Sequence, residues 1–326
     1  MIRVSLDDIR SARARIAGRV RRTPLVRSDR LSESSGGEVF LKLESLQVTG
    51  SFKARGALNA VLTIVERHRG GVPLPRLVTA SAGNHGRALA WAASHAGMRP
   101  VVFTPKAAPG AKLDAIRRHG ADLRAVADTY EDSERLAKHY AAETGAEYLS
   151  PYSHPDLLSA IGTIALEVVE DLPQVDQIVV PVGGGGLVAG IAIAAAVVRP
   201  SAEVVGVEVE ASHPFAASLA AGRIVEVDVG RTIADGLAGN MDPDNIAFPV
   251  VQALVGMTVI VGERELRAAV RDLVRHEHLV AEGAGAAGVA AVAAGVIASP
   301  SKTTAVIVSG ANINLDLLAQ ILQESQ

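Results

Sequence analysis

RLVTASAGNHGRALAWAASHAGMRPVVFTPKAAPGAKLDAIRRHG, residues 76–120, decides the fold. Two short β-branched runs, RLVTASA and RPVVFTP, each precede a longer segment of helical period, NHGRALAWAASHAG and AKLDAIRRHG. Strand-then-helix units in series predict a parallel sheet with helices packed on its faces. The series runs on through DLRAVAD, the polar-faced TYEDSERLAKHYAAETG and AEYLSP, so Arg76 to about Ser150 forms one small doubly wound layer.

A second series follows, from HPDLLSAIGTIALEVVEDLP and DQIVVPV through GLVAGIAIAAAVV, EVVGVEVE, MTVIVG and ERELRAAVRDLVRHEHLV to TTAVIVSG, with a C-terminal helix beginning near Asn312. Upstream, EVFLKLE reads as a strand and SFKARGALNAVLTIVERH as a helix ending at Gly70–Gly71. That first segment is expected to pack with the C-terminal half. The expected organisation is α/β with two doubly wound domains: a discontinuous large domain, 1–69 and 151–326, and a small domain, 76–150, with Gly70–Pro75 as linker. At roughly 100–200 residues per domain, 326 residues fit two.

Composition narrows the function. With 48% hydrophobic, 21% charged and only 3% aromatic residues, the chain reads as a globular enzyme with an aliphatic core. A net charge of −3, without a basic tract, argues against nucleic acid as a partner. The absence of Cys excludes disulfides, cysteine nucleophiles and thiolate metal sites. The opening MIRVSLDDIR carries acids and lacks the apolar core of a signal peptide, so a cytoplasmic location is expected. The uncharged stretches Leu187–Val198 and Gly283–Ser299 are short or diluted by Gly and Ala, and read as buried helices, not membrane spans.

Three strand-to-helix or loop-to-helix junctions carry candidate chemistry. Gly183, Gly184, Gly185 and Gly186 join the strand DQIVVPV to an apolar helix, where bare backbone and the positive end of the helix dipole suit a phosphate. Such a turn also forms for tight helix–sheet packing, and it lacks the GxGxxG spacing and the Walker lysine. Lys53, in the first turn of its helix, opposes the dipole and would have a lowered pKa if buried; an ordinary surface lysine is the commoner case. Ser81, Ala82, Gly83, Asn84, His85 and Gly86 form the third junction, where Ser and Asn could cap the helix or hold a carboxylate.

A phosphate cradle, a candidate Schiff-base lysine and a carboxylate cradle together describe a pyridoxal phosphate enzyme acting on an amino acid. SFKARGA, SAGNHG, PVGGGGL, TIADG and VSGAN stand in the order found in fold-type II pyridoxal phosphate enzymes, and the chain resembles the threonine/serine dehydratase (ammonia-lyase) and serine racemase family over nearly its full length. The resemblance implies a tryptophan synthase β-like fold, pyridoxal 5'-phosphate as cofactor, an amino-acid substrate and a homodimer. It implies Lys53 as the Schiff-base lysine and base, Phe52 beside the cofactor ring, and Asn84 on the 3-hydroxyl. It also implies Gly183 to Gly186 and Leu187 on the phosphate, Ser309 facing the pyridine nitrogen, and Ser81, Ala82, Gly83, Asn84 and His85 around the substrate carboxylate. Ser309 could also cap the helix expected near Asn312.

Departures from the family pattern refine the expectation. Racemases resembling this chain carry serine where it has Ala82, and a methyl group transfers no proton, which favours a dehydratase for serine or threonine. The alternatives are an amino-acid racemase, or a dehydratase for hydroxyaspartate, an arylserine or a hydroxyectoine-derived amino acid; a non-catalytic cofactor carrier conflicts with the intact lysine and glycine turn. Glu208 matches a divalent-cation ligand of some members, but Pro214 stands where those place an acid, so Glu208 is expected to be structural and no metal site is expected. Asp235 is expected to be a loop or cap residue, and Glu282 to lie near the cofactor ring. In PYSHPDLLSAIGT, Ser153 replaces an acid and Ile161 a glutamine, which alters substrate preference if they border the cleft and changes nothing if they pack a helix.

Overall fold

A computed structural model describes residues 4–324; the first three residues of the opening stretch read for a leader, and the last two of the expected large domain, lie outside it. The strands are β1 Leu25–Arg27, β2 Glu38–Lys42, β3 Leu77–Ala80, β4 Val101–Pro105, β5 Asp122–Ala127, β6 Glu147–Tyr148, β7 Gln177–Pro181, β8 Glu203–Val209, β9 Met257–Val261 and β10 Thr303–Ile307. The helices are α1 Leu6–Ile16, α2 Asp29–Ser35, α3 Lys53–Arg67, α4 Asn84–Ser94, α5 Gly110–Arg117, α6 Tyr130–Thr144, α7 Pro155–Asp171, α8 Gly186–Val198, α9 Pro214–Ala221, α10 Phe248–Leu254, α11 Glu263–His276, α12 Gly283–Ala293 and α13 Leu315–Gln323.

The class is α/β with parallel sheets, as expected. One sheet has the order β1-β2-β10-β7-β8-β9, parallel except for the edge pair β1–β2; the other has the parallel order β5-β4-β3-β6. β7 shows why its sequence is an unbroken apolar run. Ile178 and Val180 face α1, α3, α7 and α8, while Val179 faces the cluster built with α11 and α12. In the smaller sheet, Val78 and Phe103 meet α6 on one face while Val102 meets Ala90 and Ile116 of α4 and α5 on the other. Ala88, Leu89 and Ala92 of α4 also join the cluster containing Leu58 and Val61 of α3, so α4 lies against both α3 and its own sheet. No helix among the described residues is long and apolar enough to cross a membrane.

Two helix ends differ from the sequence expectation. Helix α11 stops at His276, not at Val280, because His278 takes a left-handed φ of 57° and Leu279 turns back to bond the carbonyl of Leu273. The last helix begins at Leu315, not near Asn312, because Asn314 caps the N–H of Asp316. Helices α1, α2, α9 and α10 and strand β1 add to the expected set; apart from α1 they are short, and sequence periodicity needs length to show.

Beneath α3 lies a sealed ion cluster. Arg55, 1% exposed, donates to both oxygens of Glu44 at 2.9 and 2.8 Å and both oxygens of Glu167 at 2.7 and 2.9 Å. Lys42 donates to Glu167 at 2.6 Å and to the Thr23 carbonyl at 2.7 Å, and Thr23 Oγ1 donates to Glu44 at 2.6 Å. Burial works against the Arg55 charge, yet Glu44 and Glu167 hold its pKa above the ordinary value. Breaking such a cluster strands an uncompensated charge, at about 3–5 kcal/mol. Arg55→Met is therefore expected to lower unfolding free energy by about that amount in urea denaturation; a loss below about 1 kcal/mol would show that the cluster contributes nothing net.

Candidate active site

In an open parallel sheet, ligands bind outside the carboxyl ends of the strands where strand order reverses. The large sheet reverses between β7 and β10, and the small one between β3 and β6. Four segments follow those four strands: Gly183–Gly186 after β7, Ser309 after β10, Ser81–Asn84 after β3 and Ser150–Ser153 after β6. They meet at Lys53.

Lys53 opens α3, half-buried, with Nζ donating to the carbonyl of Pro151 at 2.5 Å and lying 5.0 Å from the centre of the Phe52 ring. Burial pulls its pKa down to about 8, with the negative charge of Glu282 acting in the opposite sense. The N–H of Phe52 donates to the Ser309 carbonyl at 3.1 Å, which brings the strand after β10 beside the lysine. Ser309 lies five residues before Asn314, the true cap of α13, so the capping alternative for Ser309 is overturned.

Asn84 does not cap α4 either. The cap position is Gly83, with no side-chain bond, while Ser81 Oγ accepts from the Gly83 N–H at 3.2 Å. Asn84 instead belongs to a chain of 2.6 Å hydrogen bonds. Arg87 donates to Asn312 Oδ1, Asn312 Nδ2 to Asn84 Oδ1, and Asn84 Nδ2 to Glu282 Oε1. Asn312 also donates to the Thr49 carbonyl at 3.0 Å. A guanidinium can only donate and a carbonyl can only accept, so both amide orientations are fixed from the ends. Glu282 is buried, and desolvation followed by the like charge of Asp235 pushes its pKa up to about 7.

His85 is 3% exposed with neither ring nitrogen hydrogen-bonded, and burial, then the Lys53 charge, drives its pKa down to about 3. It is a neutral imidazole. Ala82 completes the β3–α4 turn. Asp235 lies in a loop, as expected, and reaches Lys112 of α5 in an ion pair.

At the glycine turn, Gly185 has φ 85° and begins α8 with no side-chain cap, and Leu187 is buried just behind it. A Cβ on Gly184 would fall 2.3 Å from the Tyr152 ring, and one on Gly185 2.3 Å from Phe215 Cζ. The glycines are thus demanded by aromatic rings on the protein side as well as by any ligand. Asn245 Nδ2 donates to the Gly184 carbonyl at 3.0 Å. Ile161 packs its Cγ2 and Cβ against Gly190 of α8, so it holds two helices together and does not line the cleft. Ser153 Oγ accepts from the Ile246 N–H at 3.2 Å.

Comparison with known proteins places this arrangement. The family model described as pyridoxal-phosphate dependent enzyme matches residues 16–310. The chain belongs to that family. It is 38% identical over 322 residues to a putative threonine dehydratase of Sinorhizobium fredii, spanning 98% of this chain and 95% of the relative. It is also 38% identical to the catabolic L-threonine dehydratase of Escherichia coli, over 98% and 96%. The structure of maize serine racemase matches with a TM-score of 0.90 at 33% identity, covering 97% of this chain and 96% of that one. The protein is a pyridoxal phosphate-dependent lyase of fold type II.

The residues fit a pyridoxal phosphate. Ser51 Oγ and both His85 nitrogens are buried without partners near Lys53, and the uncapped start of α8 leaves N–H donors for an anion. The sequence reading missed the Pro151 carbonyl, Arg87, Asn312, Asn245 and the rings of Tyr152 and Phe215. Asn312 lay inside VSGAN; the others carry no local signal. For this pyridoxal phosphate enzyme, a lysine near pKa 8 predicts that cofactor capture by the cofactor-free protein speeds up as pH rises, levelling off above about 8. Only the neutral amine is nucleophilic, so the rate tracks its deprotonated fraction. Stopped-flow absorbance checks it; a rate still climbing nearly tenfold per pH unit between about 8 and 9 would place the lysine at its ordinary value.

Proposed function

We propose that this enzyme eliminates the β-hydroxyl of a β-hydroxy-L-amino acid, serine or threonine in the first instance, to give a 2-oxo acid and ammonium. Pyridoxal phosphate, when bound, supplies the electron sink that makes the Cα proton of an amino acid removable. Lys53 Nζ takes that proton, its low pKa leaving it largely neutral at mildly alkaline pH. Gly183 to Gly186 and Leu187 would hold the cofactor's phosphate, Asn84 would contact the cofactor through an amide fixed by Asn312 and Glu282, and Phe52 would pack beside it. Ser81, Ala82, Gly83, Asn84 and His85 would hold the substrate carboxylate with N–H dipoles and a neutral imidazole. Ser309 would offer a neutral hydroxyl to the pyridine nitrogen, a partner that does not favour its protonation and so favours loss of a β-substituent over deeper delocalisation.

The same reading divides the chain into a large domain, 1–69 and 151–326, and a small domain, 76–150, that closes over the cleft and excludes water. Among the described residues, Arg67 to Glu147, Lys112 to Asp235 and Lys138 to Asp242 are ion pairs that cross between them. It also places the enzyme in the cytoplasm as a homodimer, which light scattering after size exclusion reads.

The observation that carries elimination is Ala82: one amine serves one face of the substrate, and the β3–α4 turn offers a methyl where a second proton carrier would stand. Racemisation is the second reading, favoured by the likeness to maize serine racemase. Assaying L-serine, L-threonine, β-hydroxyaspartate and an arylserine for 2-oxo acid and ammonia separates the substrates.

Lys53→Ala is expected to lower turnover by at least about 10³-fold while the fold survives, since one half-buried side chain is lost and with it the base. Multiple turnover in the purified variant, with far-ultraviolet circular dichroism unchanged, would move the role to another lysine. Ala82→Ser is expected to raise racemisation relative to elimination by about tenfold or more, read by chiral product and 2-oxo acid in parallel. An unmoved ratio means position 82 does not face the substrate; a wild type that racemises as fast as it eliminates favours the racemase.

A further inference from the structure

Glu208 on β8 is fully buried, and each of its oxygens has a backbone partner. Oε1 accepts from the Phe215 N–H at 2.8 Å and Oε2 from the Ala216 N–H at 2.7 Å. These are the second and third amides of α9; Pro214, at its first position, has no N–H to offer. A carboxylate locked to the start of a helix fixes the helix in both position and rotation. What the lock holds in place is the Phe215 ring.

That ring is 0% exposed and sits where a side chain on Gly185 would go, with Ala247 Cβ 3.1 Å from the same point and the Phe248 ring 6.3 Å away. Gly185 starts α8 with φ 85°, and its setting aims the first N–H groups of that helix. Strand β8 neighbours β7, from which the glycine turn departs. Glu208, Phe215 and Gly185 therefore form one mechanical chain.

The resemblance to some family members brings a divalent cation to the position of Glu208. The residues present do not fit one. Both carboxylate oxygens face N–H donors, Pro214 supplies hydrocarbon where an acid would be needed, and Ser212 Oγ is engaged with the N–H and carbonyl of Gly239 at 3.1 and 3.2 Å. Among the described residues no three His, Cys, Asp or Glu side chains gather to hold a metal ion. Hard cations want several oxygen ligands.

We infer that Glu208 is a positioning residue: acting through Phe215, it holds Gly183–Gly186 in phosphate-binding shape, and it does so without a divalent cation. The inference rests on the reading of that turn as the phosphate cradle. The test measures the pyridoxal phosphate Kd of the full chain for Glu208→Gln, Phe215→Leu and the double variant, with kcat at saturating cofactor and the ³¹P shift of bound cofactor.

Each single variant is expected to raise Kd by about tenfold, the worth of a hydrogen bond to a charged group, and to move the ³¹P signal while kcat stays within about threefold. The double variant is expected to be no worse than the more severe single one, because the two residues act in series. For the wild-type chain, millimolar magnesium, calcium or a chelator is expected to leave Kd unchanged. Unchanged Kd in both single variants with lowered melting temperature alone, an additive double variant, or a Kd that tightens about tenfold with a cation would each overturn the inference. If Glu208→Gln fails to fold, Phe215→Leu carries the decision. Gly184→Ala and Gly185→Ala separate the two levels. If both leave Kd unchanged the phosphate-turn reading itself falls, whereas if they weaken binding and the Glu208 and Phe215 variants do not, only the positioning role falls.

Discussion

Arg55, sealed between Glu44 and Glu167, is the constraint from which the geometry of the site descends. Helix α3 begins with two cations, Lys53 and Arg55, in its first turn and has no side-chain cap, an arrangement that the helix dipole opposes. Glu44 and Glu167 supply the missing negative charge, and Lys42 balances the second carboxylate, so two cations face two anions in the protein interior. Because successive residues turn about 100° round a helix, Lys53 lies about 200° from Arg55. Pinning the guanidinium toward β2 and α7 therefore points the amine to the opposite side, toward the Pro151 carbonyl and the cleft. A hydrophobic replacement of Arg55 could fill the volume, but it would release this rotational setting.

The two sheets use the same topological device. In each, a run of four strands starts in the interior, builds outward, and returns to add a strand on the other side of its first one: β3, β4, β5, then β6; β7, β8, β9, then β10, which lands between β7 and the earlier edge pair β1–β2. Each reversal opens a crevice, and α3 and α4, the helices that begin at Lys53 and Asn84, pack on one another between the two sheets' domains. The lysine enters from one side and the uncapped start of α4 from the other. A site split in this way is completed only when both halves are in register, and the ion pairs from Lys112 and Lys138 to the segment carrying Asp235 and Asp242 set that register at the cleft edge. Lys138 and Asp235 are largely exposed, so these pairs are weak and readily broken, as the closure proposed above would require.

Much of this was legible in the sequence because it is local. Alternating β-branched and helical periods gave the sheets, and glycine runs at strand ends marked where backbone must be bare. What stayed open is where a side chain chooses between a local and a distant partner. Asn84 and Ser309 both have side chains able to cap a helix, and the structure closes that alternative: Gly83 holds the cap position of α4 without a side-chain bond, and Asn314 caps α13. Ile161, which the sequence left open between bordering the cleft and packing a helix, is held by Gly190 on the next helix. The ion cluster under α3 joins residues 42, 44, 55 and 167, and no periodicity links the last of these to the others. The Gly184 and Gly185 requirement was visible, but Tyr152 and Phe215, the rings that impose it, come from distant segments.

The electrostatics of the cleft then bear on which reaction it favours. Burial drives Lys53 down and Glu282 up until they lie near 8 and 7, while His85 is held neutral. Low dielectric thus narrows the gap between acid and amine, and a proton held at Nζ sits close to the balance needed to leave it again. Around the lysine, Glu282 is the charge that acts on it, while the Asp235 charge is answered by Lys112. On the proposed reading an anionic substrate is held by N–H dipoles at the start of α4 and α8, which bind charge without adding a competing acid. On that reading, one mobile proton on one face can complete an elimination, because the proton taken from Cα and the proton the departing hydroxyl needs to leave as water are both handled on the same side. Inverting the same carbon needs a second proton on the far face, and the methyl of Ala82 has none to give.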